Sequence, residues 1–342
     1  MTIKSRVCAV IVSLLVWPQI SFAAVEATDG DIDTTTTEKT WKYVPEVHGV
    51  LRTFYEWSTA TGQSKFMVRN ARLSAGGFIL PNVDYFLQVD FCDRGKISIL
   101  DAYARISPVE GLQLFAGQMR VPFSVESSRK PGDYHFADVG LLANLGNLRS
   151  VGVKAGYKVP RTTLYFEGGI FNGSDKISHI EWNSQLTYSI KANYFKAGFK
   201  PEIGFQSRVK GGKDGSPRYN QSNVSLSWSD SRWFVEGEYI YRKYSDASPS
   251  RHAYDFFVDY GMPVKWKFAN RLSVQTRFDG ITDNSYIKPC RRLTFGATAH
   301  YAYKSLFLNF RLNYEQYFYD DDETDISPTC NNKLVAGLIL SF

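Results

Sequence analysis

After residue 24 no run of apolar residues is long enough to cross a bilayer as a helix. Histidine is scarce as well, at five in 342 residues, and His48, His135, His179, His252 and His300 are scattered without the spacing a metal site needs. No cofactor or metal is therefore expected. Lys210-Gly-Gly-Lys-Asp-Gly215 is glycine-rich, but it lies between strand-like stretches and opens no helix, so it is a turn and not a phosphate cradle. The basic residues are spread along the chain and form no nucleic-acid module. Amphipathic helices, composition breaks and long linkers are missing too, which leaves one large domain as the simplest organisation.

The one apolar run is at the start. Lys4 and Arg6 precede Val7–Val16, and Pro18 and the small-residue stretch Ser21-Phe22-Ala23-Ala24 follow. This order of charged, apolar and cleavage regions predicts a signal peptide over 1–24 and an exported chain. A leader over 25–45, with no apolar pattern and no heptads, is expected to be flexible. Export removes two positive charges from a formal net charge of +6, so the mature chain is only mildly basic.

From Val47 to Phe342 the pattern is period two. About sixteen short stretches alternate apolar and polar residues, and their connectors alternate between tight turns, such as Pro81-Asn82 and Asp230-Ser231, and longer polar segments. In the last stretch Leu334, Ala336, Leu338, Leu340 and Phe342 share one face, with Lys333, Gly337 and Ser341 on the other. Such strands cross a bilayer in about 9–11 residues, and a closed sheet leaves no backbone group unsatisfied in lipid. The prediction over 46–342 is an all-β transmembrane antiparallel barrel of about 16 strands, with short periplasmic turns and long external loops. Strand 7 is placed at Thr162–Asn172, strand 8 at Trp182–Tyr194 and strand 12 at His252–Tyr260, with Met262-Pro263 interrupting the pattern. Leu306, Leu308, Phe310, Leu312 and Tyr314 should face lipid, and Asn309, Arg311, Asn313 and Glu315 the lumen. Trp57, Tyr103, Tyr194, Trp233, Tyr244 and Tyr319 are candidates for the interfacial aromatic belts.

The segments Phe66-Met-Val-Arg-Asn-Ala-Arg-Leu-Ser-Ala-Gly-Gly77, Asp84-Tyr-Phe-Leu-Gln-Val-Asp90, Asp101-Ala-Tyr103 and Leu114-Phe-Ala-Gly-Gln-Met-Arg-Val-Pro-Phe-Ser124 resemble the phosphate-selective porins of the O and P type. The resemblance covers roughly residues 47–342 and is most specific over 66–126. It implies a sixteen-stranded bacterial outer-membrane porin, usually trimeric, whose third external loop folds inward to narrow the pore. Here that loop is Met119–Leu148, the longest connector.

A porin is a passive, water-filled channel for small hydrophilic solutes, and the resemblance points to anions such as phosphate. Fixed guanidinium groups can replace an anion's hydration. The constriction candidates are Arg120, Arg129 and Lys130; the lumen-wall candidates are Arg52, Arg72, Arg105, Lys154, Arg277 and Arg311. Glu56, Asp90, Asp101, Glu167, Glu236, Glu238, Asp279 and Glu315 fall on the same face, so acids and bases are near balance, and the sequence shows no extended basic cluster. Cys290 and Cys330 lie in neighbouring loops and can form a disulfide in an exported protein, or remain free thiols with Cys92. No covalent chemistry is expected; His300 beside Thr298 or Ser305 is the nearest approach to a catalytic arrangement. The partners expected are outer-membrane lipid, the transported solute and two further copies of the chain. Two alternatives stand beside the anion porin: a channel specific for sugars or organic acids, and a plugged structural or adhesive barrel.

Overall fold

The computed structural model describes residues 45–93, 95–146, 149–173, 182, 185–209, 217–282, 289–319 and 330–342. The expected signal peptide and all but the last residue of the expected leader lie outside them.

Sixteen strands follow one another: β1 (Glu46–Ser58), β2 (Ser64–Leu80), β3 (Val83–Asp93), β4 (Lys96–Val109), β5 (Leu112–Arg120), β6 (Arg149–Lys158), β7 (Tyr165–Asn172), β8 (Leu186–Asn193), β9 (Phe199–Val209), β10 (Arg218–Ser229), β11 (Trp233–Tyr244), β12 (Arg251–Trp266), β13 (Ala269–Ile281), β14 (Cys290–Tyr303), β15 (Leu306–Tyr319) and β16 (Lys333–Ser341). Each pairs antiparallel with its sequence neighbours, and β1 pairs with β16, Leu51 opposite Leu340 and Tyr55 opposite Ala336, so the barrel is closed. Closure removes the sheet edges that would otherwise leave backbone donors and acceptors bare in lipid.

The wall is inside-out relative to a soluble protein. On β15, Phe310 and Leu312 are 47% and 49% exposed on the outer face while Asn313 and Glu315 are fully buried inside, which is the alternation read from the sequence. Residues 81–82, 110–111, 230–232 and 304–305 close the end that carries Glu46 and Phe342. The longest connectors, 121–148, 173–185 and 320–332, are at the other end, although 59–63 and 94–95 on that side are short.

Some strand limits differ from those read off the sequence. β7 begins at Tyr165, β8 covers only Leu186–Asn193, and β12 continues through Met262-Pro263 to Trp266. Pro263 is tolerated because the register breaks between it and Trp266, beside the hairpin, where its missing N–H interrupts no regular ladder. Trp57, Tyr194 and Trp233 are exposed on the outer wall as expected of a belt. Tyr103, Tyr244 and Tyr319 are not. Tyr103 has the parity of Asp101 and Arg105 and packs inside between Phe86 and Phe115. Tyr244 is buried against Tyr219, and Tyr319 packs on the inner cluster that contains Cys290.

The apolar core of the molecule is in the lumen, between the wall and the segment that joins β5 to β6. Phe123, Leu141, Leu142 and Leu145 of that segment pack on Ile240, Ala253 and Ile281; Ala137 packs on Phe54, Val335 and Ile339. Each fully buried Leu or Phe contributes about 1.5–3 kcal/mol, so this third loop is a folded part of the barrel.

Candidate functional site

The third loop enters the lumen at Arg120. Its first turn is the short helix α1 (Val125–Ser128), whose N-cap Ser124 accepts a hydrogen bond from the Ser127 N–H. The next free N–H groups, of Val125 and Glu126, both donate at 2.9 Å to the carboxylate of Glu238 on β11. The wall thereby supplies the acceptor that a helix N-terminus lacks.

Beyond α1, Arg129 is buried between Glu126 and Glu236. His135 Nδ1 is 2.7 Å from Asp259 Oδ2, and its ring stacks on Phe234. Four consecutive carbonyls then meet four arginines from four strands. Phe136 O accepts from Arg311 Nη1 at 2.6 Å, Ala137 O from Arg52, Asp138 O from Arg277 Nη1 at 3.0 Å and Val139 O from Arg292 Nη2 at 2.9 Å. The backbone donors are answered too: Ala137 N–H by Asn313 at 2.8 Å, Gly140 N–H by Glu126 at 2.9 Å and Leu141 N–H by Asp279 at 2.7 Å. A side chain at Gly140 would sit 2.1 Å from the Asp255 carboxylate, so the loop approaches the wall there as only glycine can. Arg242 donates to Leu145 O at 2.9 Å.

These anchors lie on β11 to β15, β1 and, through an Arg69–Asp138 pair at 3.5 Å, β2. The wall from β2 to β7 holds its charges in pairs of its own: Arg72 with Asp90 at 2.8 Å, Arg105 with Asp84 at 2.8 Å, Arg149 with Asp101 at 2.9 Å and Lys154 with Glu167 at 3.0 Å. Apart from Arg69 at 36% and Arg105 at 9%, the paired cations differ in exposure between the two sides. Arg277, Arg292 and Lys333 on the anchoring side have side chains 1%, 2% and 2% exposed, against 13%, 13% and 14% for Arg72, Arg149 and Lys154.

At the root of the loop, on the wetter side, cations converge. Arg120 pairs with Arg149 directly across β5 and β6, a like-charge juxtaposition that sheets normally avoid. Arg72 also acts on Arg120, and Arg120 in turn acts on Lys130. Arg149 has Asp101 and Arg72 has Asp90, whereas the Arg120 guanidinium donates to the Ser127 and Arg129 carbonyls. Carbonyl dipoles orient that charge, and Asp101, already paired with Arg149, is the acid that acts on it.

The family model for phosphate-selective porin O and P matches residues 47–258. The chain belongs to that family. It is an outer-membrane porin, a channel protein, and solved porins share its fold. OmpT of Vibrio cholerae, solved in a trimer form, superposes with a TM-score of 0.57 at 10% identity over 87% of this chain and 98% of that one. Salmonella typhi OmpF, in complex with daunomycin, gives 0.59 at 14% identity over 87% and 97%. A variant of the Rh. blastica porin gives 0.54 at 11% identity over 87% and 100%. At these identities the likeness shows the fold alone. Among curated proteins no match is found.

All nine basic candidates of this porin are on the inner side, and the structure divides them. Arg52, Arg277, Arg311 and Arg129 are buried and hold the third loop; Arg72, Arg105, Lys154, Arg120 and Lys130 are on or near the wetter side. Arg149 and Arg292 are not among those candidates. Arg292 has lumen parity, whereas Arg149 shares the parity of the outward-facing Val153 and Tyr157 and still meets Asp101 at the strand end. Cys290 and Cys330 are free thiols, as is Cys92, the second of the two outcomes the sequence leaves open. Tyr319 links the two positions instead, opposite Cys290 in the sheet and donating its hydroxyl to the Cys330 carbonyl. His300 contacts neither Thr298 nor Ser305 by hydrogen bond; its ring nitrogens meet Asn309 at 2.9 Å and Ser273 at 3.1 Å. Ser273 is 1% exposed, closed to any substrate.

Proposed function

We propose that this porin passes small hydrophilic anions, phosphate among them, along the β2–β7 side of the third loop. The observation that carries the reading is Arg120, a cation placed at the loop root beside Arg72, Arg149 and Lys130 and oriented by carbonyls instead of a carboxylate. An anion passing there exchanges part of its hydration for guanidinium donors. Arg52, Arg277, Arg292 and Arg311 serve a different purpose. They hold the loop against the opposite wall and so set the width of the passage.

The aromatic row Phe86, Tyr103 and Phe115, with ring centroids 5.6 and 5.7 Å apart, favours a sugar or organic-acid channel as the second reading. Its rings are covered, however: Phe86 and Phe115 are 9% and 6% exposed, and Lys154 Nζ sits 4.5 Å above the Phe115 ring. The row presents cations to the lumen and keeps its aromatic faces to itself. We further propose a homotrimer, as the trimer form of the Vibrio cholerae OmpT structure suggests.

The deciding experiment is single-channel recording of the refolded protein in a planar bilayer under a salt gradient, with phosphate titrated in, for wild type and Arg120→Ala. Anion-directed reversal and phosphate block are expected in the wild type. Loss of one charge-assisted contact should weaken the block about tenfold, the factor that ~1.4 kcal/mol represents. Openings without ion preference would favour the sugar-type channel, and a folded barrel with no openings would favour the plugged scaffold.

A further inference from the structure

The outer wall carries charge in one sector, at one height. Arg218 on β10, Lys243 on β11 and Arg291 on β14 have the parity of the lipid-facing residues, as does His252 on β12. All four lie at the strand ends that lead into the long loops, the external side of an outer-membrane barrel. The register places them side by side. Arg218 is two residues beyond Asn220, the partner of Lys243; His252 is opposite Tyr241, two residues from Lys243; and Arg291 is opposite Gly280, two residues from Thr282, which exchanges hydrogen bonds with His252. Neighbouring strands are about 4.8 Å apart and the residues are staggered along them at about 3.3 Å per residue, so the row runs diagonally to the strands over roughly 28 Å of wall.

The row is built for contact with something polar and anionic. Arg218 lies over the Tyr188 ring at 5.6 Å, which fixes its guanidinium against the outer surface. The Tyr239 hydroxyl meets His252 Nδ1, and Asn220 and Ser222 add exposed polar groups. Among the described residues of β8 to β15 no acid shares the outward parity; the acids of these strands, Glu202, Glu236, Glu238, Asp255, Asp259, Asp279 and Glu315, are all buried inside. In the opposite sector the external ends of β1 to β4 present Trp57, Phe66, Phe91 and Ile97 to the outside.

Cations on a lipid-facing wall are costly near the midplane and far less so at the interface, where polar headgroups lie. We propose that this row binds the phosphorylated headgroup of a lipid in the external leaflet. Lys243 and Arg291 meet the phosphate oxygens, and the tyrosines lie along the sugar or glycerol part beneath them. The occupant is a membrane lipid because the row is outside the barrel, on the far side of the wall from the lumen, and continuous with the apolar face.

The test uses native mass spectrometry of the full refolded protein in detergent, titrated with bis-phosphorylated lipid A, with its dephosphorylated form, and with 10 mM inorganic phosphate as competitor. The Lys243→Ala/Arg291→Ala double variant is compared with wild type, and Lys243→Arg serves as a conservative control; single-channel conductance reports that each barrel is intact. Retention of the phosphorylated lipid by wild type and Lys243→Arg, with at least tenfold weaker retention by the double variant at unchanged conductance, is the expected result. Equal retention of the dephosphorylated lipid, equal retention by the double variant, or displacement by inorganic phosphate would each overturn the proposal. Should the double variant fail to fold, loss of lipid from the wild type on dephosphorylation alone still decides it.

Discussion

Lys130 is the cation at the loop root whose charge changes nearest to neutral pH. Burial, aided by the Arg120 charge and opposed by Asp133, brings its ammonium down to about 8. It carries its proton below that pH and loses it above, so raising the pH from 7 to 9 removes a positive charge from the proposed filter. Reversal-potential measurements across that range should show anion preference declining, and Lys130→Met should flatten the profile at the lower value. Arg292 makes a different kind of demand. It satisfies the buried Asp279 and Glu315 together with the half-buried Val139 carbonyl. Arg292→Ala leaves those carboxylates undercompensated and should cost about 3–5 kcal/mol, visible as a lower urea midpoint and as excess noise in the open-channel current. Inward orientation of the strand-borne candidates Arg52, Arg72, Arg105, Lys154, Arg277 and Arg311 was legible from parity alone. Their partners were not, because a guanidinium can reach a carboxylate or a carbonyl with equal chemical sense, and only the path of the loop decides which.

The strands were legible almost throughout, since period-two hydrophobicity is a local property and lipid enforces it at every outward position. The third loop was legible as long and not as packed. Yet a signal was present: Val335, Ile339, Ile240 and Phe257 are apolar at lumen parity, and all are buried by the loop or beside it. A water-filled wall has no use for such side chains; a wall covered by protein does. The three tyrosines assigned to the belts but found inside, Tyr103, Tyr244 and Tyr319, could have been placed correctly by the same parity. Irregular points in the sheet depend on backbone freedom. Gly117 interrupts β5 at φ 130°, where an added Cβ would fall 2.3 Å from the Ala102 carbonyl. Gly117→Ala should lower refolding yield and thermal stability by about 1–3 kcal/mol, measured by heat-modifiable gel mobility, and shift the loop root that follows it.

Across the whole molecule the outer wall has two characters. Around β4 to β7, Ala104, Ala116, Ala155 and Gly168 line a shallow hollow, and the loop-end cations are gathered on β10 to β14. If three copies associate through the small-residue side, the charged side is left to lipid. Ala104→Trp is then expected to reduce the trimer fraction in native mass spectrometry while the monomer's barrel still forms. The four arginines that grip residues 136–139 have one more consequence. Arg52 belongs to the first strand to leave the translocation machinery, and Arg277, Arg292 and Arg311 to three of the last four. They cannot surround the same stretch of chain until β1 has met β16. The order of assembly is thereby prescribed: a half-inserted barrel has a slack, wide mouth, and the narrow passage comes into being only with the final hydrogen bonds of the seam.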